Sequence, residues 1–326
     1  MGASTSIAWT DATWNPTVGC TRVSAGCENC YAERVAHRFA NVGSNALSGL
    51  TRESGKWNGR VRFLPYRLDD PLRWCKPRRI FVNSMSDLFH ESLSDEEIDR
   101  VVVVMALAHR HTFQILTKRP ERMRAYFTDD DVIRRIAVLA DARRVSVPGN
   151  IPEIGPLGHG SPGRRWWPLR NVWLGVSVED QPTADERTPI LLETPAAKRF
   201  VSYEPALSAV DFEPWLYRCG PLCTDGPGLD WIIVGGESGP GARPFDIAWA
   251  RSTVSQCKSA RVACFVKQLG AKPYSMTGSI GDDYFGSYAI SPRPGEEGRW
   301  YPVGLCRKAD DPSEWPEDLR VQEFSA

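Results

Sequence analysis

The chain has 326 residues, 42% of them hydrophobic and 25% charged, and its 40 basic and 40 acidic side chains leave a formal net charge of zero. That balance excludes a uniformly basic coat for nucleic acid and a low-hydrophobicity disordered chain. No apolar run approaches the roughly 18–20 residues that span a bilayer, so no membrane association is expected.

The start, MGASTSIAWTD, carries neither a basic n-region nor an apolar h-region. The nine cysteines are odd in number and unevenly spread, which suits a reducing cytosol better than a disulfide framework. A cytoplasmic protein is expected.

In chain order, Ser6–Thr10 (SIAWT) alternates as a short strand, and a cysteine loop follows it. Tyr31–Ala40 reads as a helix, with Tyr31, Val35, Ala36 and Phe39 at helical spacing. Residues 41–60 are rich in Gly, Ser and Asn and form an excursion. Residues 60–79 bring a basic run, Arg60 to Arg79, before the buried-type strand Ile80–Ser84. Ser94 is a fitting N-cap for a helix carrying Ile98, Val101, Val102, Met105 and Ala108 on one face. Thr112–Thr117 (TFQILT) is the next strand, and Pro120 opens the helix after it. Asp129–Val147 reads as helix.

Pro148–Pro168 is a Pro/Gly-rich flap in which Arg164 and Arg165 stand beside Trp166 and Trp167. That quartet would either stack on bases as a nucleic-acid contact or anchor the flap by packing. Regularity returns with the strand Val172–Val178, a polar helix near Ala184–Leu192, and the strands Phe200–Tyr203, Trp231–Gly235 and Ala263–Lys267, with a helix over Ile247–Ala260 before the last. Strands alternating with helices imply a mostly parallel sheet with right-handed crossovers. The expected fold is therefore α/β and TIM-like, a partial (β/α) barrel, with a doubly wound sheet as its competitor. The barrel domain is expected over residues 1–270, with insertions near 41–79, 148–170 and 217–228. Residues 271–326 are expected to form a C-terminal extension packed on it.

Every strand run ends in polar groups: Ser84, Ser86 and Asp87; Lys118; Ser177 and Glu179; Glu204; and Gly235, Gly236 and Glu237 of GGESG. Residues just past the carboxyl ends of parallel strands are where such folds bind ligands. Each taken singly is most often a helix cap. Together they suggest an amino-acid-like ligand, whose carboxylate suits Lys or Ser and whose ammonium suits Glu. The glycines of GGESG lack the spacing of a nucleotide fingerprint and read as a tight turn with close backbone approach. Tyr203 and Cys264 are weak candidates for a catalytic hydrogen donor, each more often a core residue.

The strongest signal is Cys20, Cys27 and Cys30 within eleven residues, spaced C-x6-C-x2-C. Soft thiolates select zinc, copper(I) or an iron–sulfur cluster. Zinc would want a fourth ligand, which Cys219 and Cys223 of CGPLC could supply as a second half-site. A [4Fe-4S] cluster held by three cysteines instead leaves one iron open to a small molecule.

At these residues the chain resembles known proteins. NPTVGC…GCENCYAER resembles the cysteine loop of the radical S-adenosylmethionine enzymes, in particular the spore photoproduct lyase-like branch, whose usual spacing is C-x3-C-x2-C. The blocks WNPTVGC, FVNSMSDLFHE, FQILTKRPERM, VWLGVSVEDQ, RFVSYEPAL, DWIIVGGESG and SEWPEDLRVQEF resemble the phage Gp37/Gp68-like three-cysteine-motif family.

The resemblance implies a cluster on Cys20, Cys27 and Cys30 and S-adenosylmethionine at its open iron. It also implies Lys118 and Ser177 against the methionine part of that cofactor, and Ser84, Ser86 and Asp87 as the matching Ser/Thr-Asp element. It further implies a radical lyase or nucleotide-modifying enzyme in DNA repair or modification, an electron donor of flavodoxin or ferredoxin type, and a nucleic acid or nucleotide substrate. The non-enzyme reading is a metal-binding, nucleic-acid-associated partner protein.

Overall fold

The computed structural model describes residues 5–42, 45–144, 167–217, 228–275 and 309–325. Seven strands form its main sheet: β1 (Ala12–Trp14), β2 (Arg79–Val82), β3 (Thr112–Thr117), β4 (Val172–Val178), β5 (Lys198–Tyr203), β6 (Trp231–Gly235) and β7 (Ala263–Gln268). Their order across the sheet is their order in the chain. The pairs β1–β2, β2–β3, β3–β4, β5–β6 and β6–β7 are parallel. An order that never reverses belongs to singly wound α/β folds, the TIM-like class; a doubly wound sheet would double back at a switch point.

The helices are α1 (Tyr31–Phe39), α2 (Asp95–Leu107), α3 (Pro120–Thr128), α4 (Asp130–Arg144), α5 (Gln181–Glu193) and α6 (Ile247–Ala260). Helix α2 opens on a full capping box: Ser94 Oγ accepts from the Glu97 amide at 3.3 Å, and the Ser94 amide donates to the Glu97 carboxylate at 3.0 Å. Pro120 sits at the first turn of α3, where its missing N–H costs nothing. Asp246 caps α6 by accepting from the Ala248 amide at 2.9 Å.

Contacts divide the chain into two compact units. The first comprises residues 1–23, 30–176 and 193–199, and the second residues 24–29, 177–192 and 200–326. In the first, α2 buries nearly its whole circumference, Ile98 to Leu107, against apolar neighbours. Trp14 and Phe113 meet at 5.7 Å between ring centres, and Trp14 Nε1 donates to the Arg67 carbonyl at 2.8 Å. In the second, Trp231 packs against Phe200, Phe265 and Phe324. The tail joins this core as a ladder: the Val266 amide donates to Val321 O at 2.8 Å, and the Glu323 amide to Cys264 O at 2.9 Å.

Two local expectations are corrected. Ser6–Thr10 is not a strand; the first strand is Ala12–Trp14. The SIAWT segment turns instead, with Trp9 stacked on Phe81 at 4.7 Å and Thr10 Oγ1 donating to Arg79 O at 3.0 Å. In α1, Tyr31 and Phe39 are exposed, and the buried face is Ala32, Glu33 and Ala36. A carboxylate sits on that face because Arg22 meets it, Nη2 to Oε2, at 2.6 Å, and the Trp57 amide donates to Oε1 at 2.6 Å.

Candidate functional site

The cysteine loop is built by interlocking the segments after β1 and β2. The Asn15 side-chain oxygen accepts from the Met85 amide at 3.0 Å and from Ser84 Oγ at 3.2 Å. The Asn83 side-chain oxygen accepts from the Thr17 amide at 3.3 Å, and Ser86 Oγ lies 2.5 Å from Thr17 Oγ1. Just before Cys20, Gly19 has φ of +94°, and a Cβ there would lie 2.2 Å from Arg60 O, so only glycine fits. Ser84 and Ser86 thus hold the entry to the cysteine loop.

In the first unit, Cys20 and Cys30 pack beside a core of Val18, Ala32, Ala36, Leu47, Leu50, Trp57, Leu64 and Met85. The excursion after α1 therefore supplies part of that wall. Beside Cys20 stands Arg119, which the sequence reading passed over in ILTKR. Its Nη1 lies 4.0 Å from Cys20 Sγ and 3.1 Å from Asp87 Oδ2, its Nη2 donates to Thr21 Oγ1 at 2.6 Å, and its Nε donates to Glu91 at 2.9 Å. Burial works against the Arg119 charge, but Asp87, the Cys20 sulfur and Glu91 hold its pKa above the ordinary value.

Asp87 is the hinge pin. Buried at 6% exposure, it accepts from Thr117 Oγ1 at 2.7 Å and from the Lys118 and Phe89 amides at 3.1 and 2.9 Å. It ties the ends of β2 and β3 together. Lys118 itself is half-buried.

His90 completes this shell. Its Nδ1 accepts from the Ser92 amide at 3.1 Å, which places the ring proton on Nε2, 3.0 Å from Thr21 Oγ1. Burial first, then the charge of Arg119, keeps its pKa below the ordinary histidine range. Burial pushes Glu91 up, but its own backbone amide, Arg119 and His90 hold its pKa down at about 2.

In the second unit, residues 24–29 are held by carboxylates. Glu179, fully buried, accepts from Ser24 Oγ at 2.8 Å and from Arg187 Nη1 at 3.2 Å; Arg187 also donates to Ser177 O at 2.8 Å. Ser177 therefore contributes its carbonyl to this tie. Glu237 accepts from Asn29 Nδ2 at 2.9 Å and from Arg243 through Nη2 at 2.7 Å, Nε at 3.0 Å and the backbone amide at 2.9 Å. Burial raises the Glu237 pKa, but the Arg243 and Asn29 hydrogen bonds outweigh it and set it below the ordinary value. Cys27 Sγ lies 3.9 Å from Ser24 Oγ.

Glu204 accepts from Lys267 Nζ at 2.6 and 2.8 Å and from Gln268 Nε2 at 2.8 Å, with both members of the ion pair half-buried. The close approach expected at GGESG is made by the protein's own chain: a Cβ on Gly236 would lie 2.7 Å from Leu269 O. Gly235 packs on Gln268 in the same way, so neither glycine is spent on a ligand. Tyr203 is fully buried, bonded through its hydroxyl to Ser208 O and packed on Phe212. Cys264 is buried beside Cys257, which with burial drives its pKa up. Both are core residues. Trp167 is buried and stacked on Phe127 at 5.4 Å, a packing anchor. Arg164, Arg165, Trp166, Cys219 and Cys223 lie outside the described residues.

Residues 4–289 match a family described as a protein of unknown function, DUF5131. The chain belongs to the DUF5131 family. No curated protein and no solved structure matches it.

In this DUF5131 chain, Cys20, Cys27 and Cys30 are thiols, each half-buried. As donors they suit a thiophilic centre, and a guanidinium beside one sulfur favours the anionic ligand such a centre needs. Their placement does not collect them: among the described residues no group of three or more His, Cys, Asp or Glu side chains is set to hold a metal ion. Of the remaining strand-end candidates, Ser84, Ser86, Asp87, Ser177, Glu179, Glu204 and Glu237 all bond to the protein's own groups. Among the described residues no helix is long and apolar enough to cross a membrane.

Proposed function

We propose that this chain is an iron–sulfur protein in which Cys20, Cys27 and Cys30 hold a [4Fe-4S] cluster, with S-adenosylmethionine at the open iron position and a nucleic acid or nucleotide as substrate. The observation that carries the reading is three half-buried thiols within eleven residues, on a loop whose entry is clamped by the turn after β2. Such a cluster, when bound, supplies a low-potential electron and an unsaturated iron. An electron donor of flavodoxin or ferredoxin type goes with it.

The chain's own residues would do the rest. Arg119 and the Thr21–His90–Glu91 shell fix Cys20, and Glu179 and Glu237 fix residues 24–29. Lys118, half-buried at the end of β3, is the cation offered to the carboxylate of an amino-acid-like ligand. Glu204 and Lys267, the half-exposed pair, offer the complementary charges. The nucleic-acid substrate rests on the resemblance of the cysteine loop to the lyase-like branch.

A second reading is favoured by one observation. The carboxylates Asp87, Glu179 and Glu237 are each committed to arginines of their own unit, which suits a structural or sensing metal in a non-catalytic partner protein.

Anaerobic reconstitution with iron and sulfide separates the two. The cluster reading expects brown protein absorbing near ~400 nm with about four irons per chain, losing iron when any one of Cys20, Cys27 or Cys30 becomes Ala. One zinc and no iron would overturn it. With dithionite and S-adenosylmethionine, formation of 5′-deoxyadenosine and methionine is expected of the enzyme and not of the binding protein.

A further inference from the structure

We infer that Arg119 sets the redox poise of the centre held at Cys20; the inference rests on the cluster reading above. The guanidinium is the one cation that the described contacts place on a sulfur of the cysteine loop, with Nη1 4.0 Å from Cys20 Sγ. It is also immobilised. Its Nε, Nη1 and Nη2 are spent on Glu91, Asp87 and Thr21, and its side chain is only 11% exposed. A lysine on a flexible stem would not hold a charge at one distance; a planar fork with three fixed contacts does.

The effect has a definite sign. Reduction of a [4Fe-4S] centre adds one electron, hence one negative charge, to a site already bearing thiolates. A fixed positive charge and an N–H directed at a ligand sulfur stabilise that added charge more than the oxidised state. The midpoint potential therefore rises. The screening that would erase this at a surface is weak here, because Arg119 is half-buried behind Asp87 and the Thr21–His90 contact.

His90 and Glu91 modulate the same group. His90, with its proton on Nε2, presents no charge to Thr21, and Glu91 balances the outer edge of the guanidinium through Oε2. Arg119 is thus a positioning residue: it acts through the Cys20 sulfur and touches no substrate in this account.

The test is a dithionite redox titration of anaerobically reconstituted full-length protein, comparing wild type with Arg119→Met and Arg119→Lys, with iron counted in every sample. Arg119→Met is expected to bind the wild-type complement of iron and to show about a tenfold fall in the ratio of reduced to oxidised centre at a fixed potential, ~59 mV downward for a one-electron couple. Arg119→Lys, which keeps the charge and loses the fork, is expected to fall between the two. An Arg119→Met potential equal to wild type, at equal iron content, overturns the inference and leaves the cluster reading standing. Absence of iron from the wild type overturns both. If Arg119→Met does not fold, Arg119→Lys and Asp87→Asn, which frees Nη1 from its carboxylate, carry the same comparison; unchanged potentials in both overturn the inference.

Discussion

The two units secure their portions of the cysteine loop with opposite charge orders. At Cys20 the cation faces the loop and the carboxylates stand behind it: Asp87 and Glu91 hold Arg119, and Arg119 meets Cys20 and Thr21. At residues 24–29 the carboxylates face the loop and the cations stand behind: Arg187 backs Glu179, which takes Ser24, and Arg243 backs Glu237, which takes Asn29. The first order suits an anionic sulfur; the second suits neutral hydroxyl and amide donors and gives nothing to a metal ligand. One end of the loop is electrostatically tuned, and the other is mechanically tied.

The sharpest way to break this comparison is at Glu179. It is fully buried and Arg187 is 4% exposed, so Glu179→Ala strands a buried guanidinium. The expected loss is about 3–5 kcal/mol in urea unfolding, and the double change Glu179→Leu with Arg187→Met should recover most of it. Equal losses in the single and double variants would mean that the tie is packing rather than charge. Next comes Asp87→Ala, which leaves Thr117, two backbone amides and Arg119 without their acceptor. A loss of about 2–3 kcal/mol is expected from the same measurement. Because it loosens the cation at Cys20, it should also change the potential of the reconstituted centre, which Glu179→Ala should not.

Smaller, and dependent on pH, is the effect of Glu237. Its carboxyl titrates below the ordinary value of 4.5 in the folded state, so the folded state prefers it ionised. The contribution is complete above about pH 4.5 and is lost as the pH falls through the depressed folded value. Relative to Glu237→Gln, the wild type should be about 1–2 kcal/mol more stable at neutral pH, and the two thermal unfolding curves should converge in acid. Curves that stay parallel down to pH 3 would refute the charge account of this tie.

The sheet was largely legible in the sequence, and the ties were not. Thr112–Thr117 and Trp231–Gly235 announce themselves as apolar runs bounded by polar turns, and both strands carry those limits. Ser6–Thr10 misled because alternation over five residues is weak evidence, and the real first strand has only three. The polar groups at strand ends were rightly singled out as a set, but their purpose was misread for a physical reason. A buried carboxylate needs a partner, and its partner is remote in sequence: Asp87 finds Arg119 and Glu237 finds Asn29 across long stretches of chain. Nothing local marks Arg119 or Arg243 as that partner. Glu33 shows the same limit, since a carboxylate on the buried face of α1 looks like an error of phase until Arg22 is placed beside it.

Glu204 carries the least stability and decides the most about function. It stands outside both ties, at the end of β5, paired with Lys267 and with 17% of its side chain still exposed. Ion pairs reached by solvent contribute little, so Glu204→Gln should cost less than about 1 kcal/mol in thermal unfolding. A purely structural pair would then leave ligand binding untouched. If the pair instead receives the ammonium and carboxylate of an amino-acid-like ligand, the same variant should weaken S-adenosylmethionine binding at least tenfold, about 1.4 kcal/mol by calorimetry, with stability hardly changed. Unaltered affinity in Glu204→Gln and in Lys267→Met would remove the pair from the ligand site and leave Lys118 as the remaining strand-end cation for that carboxylate.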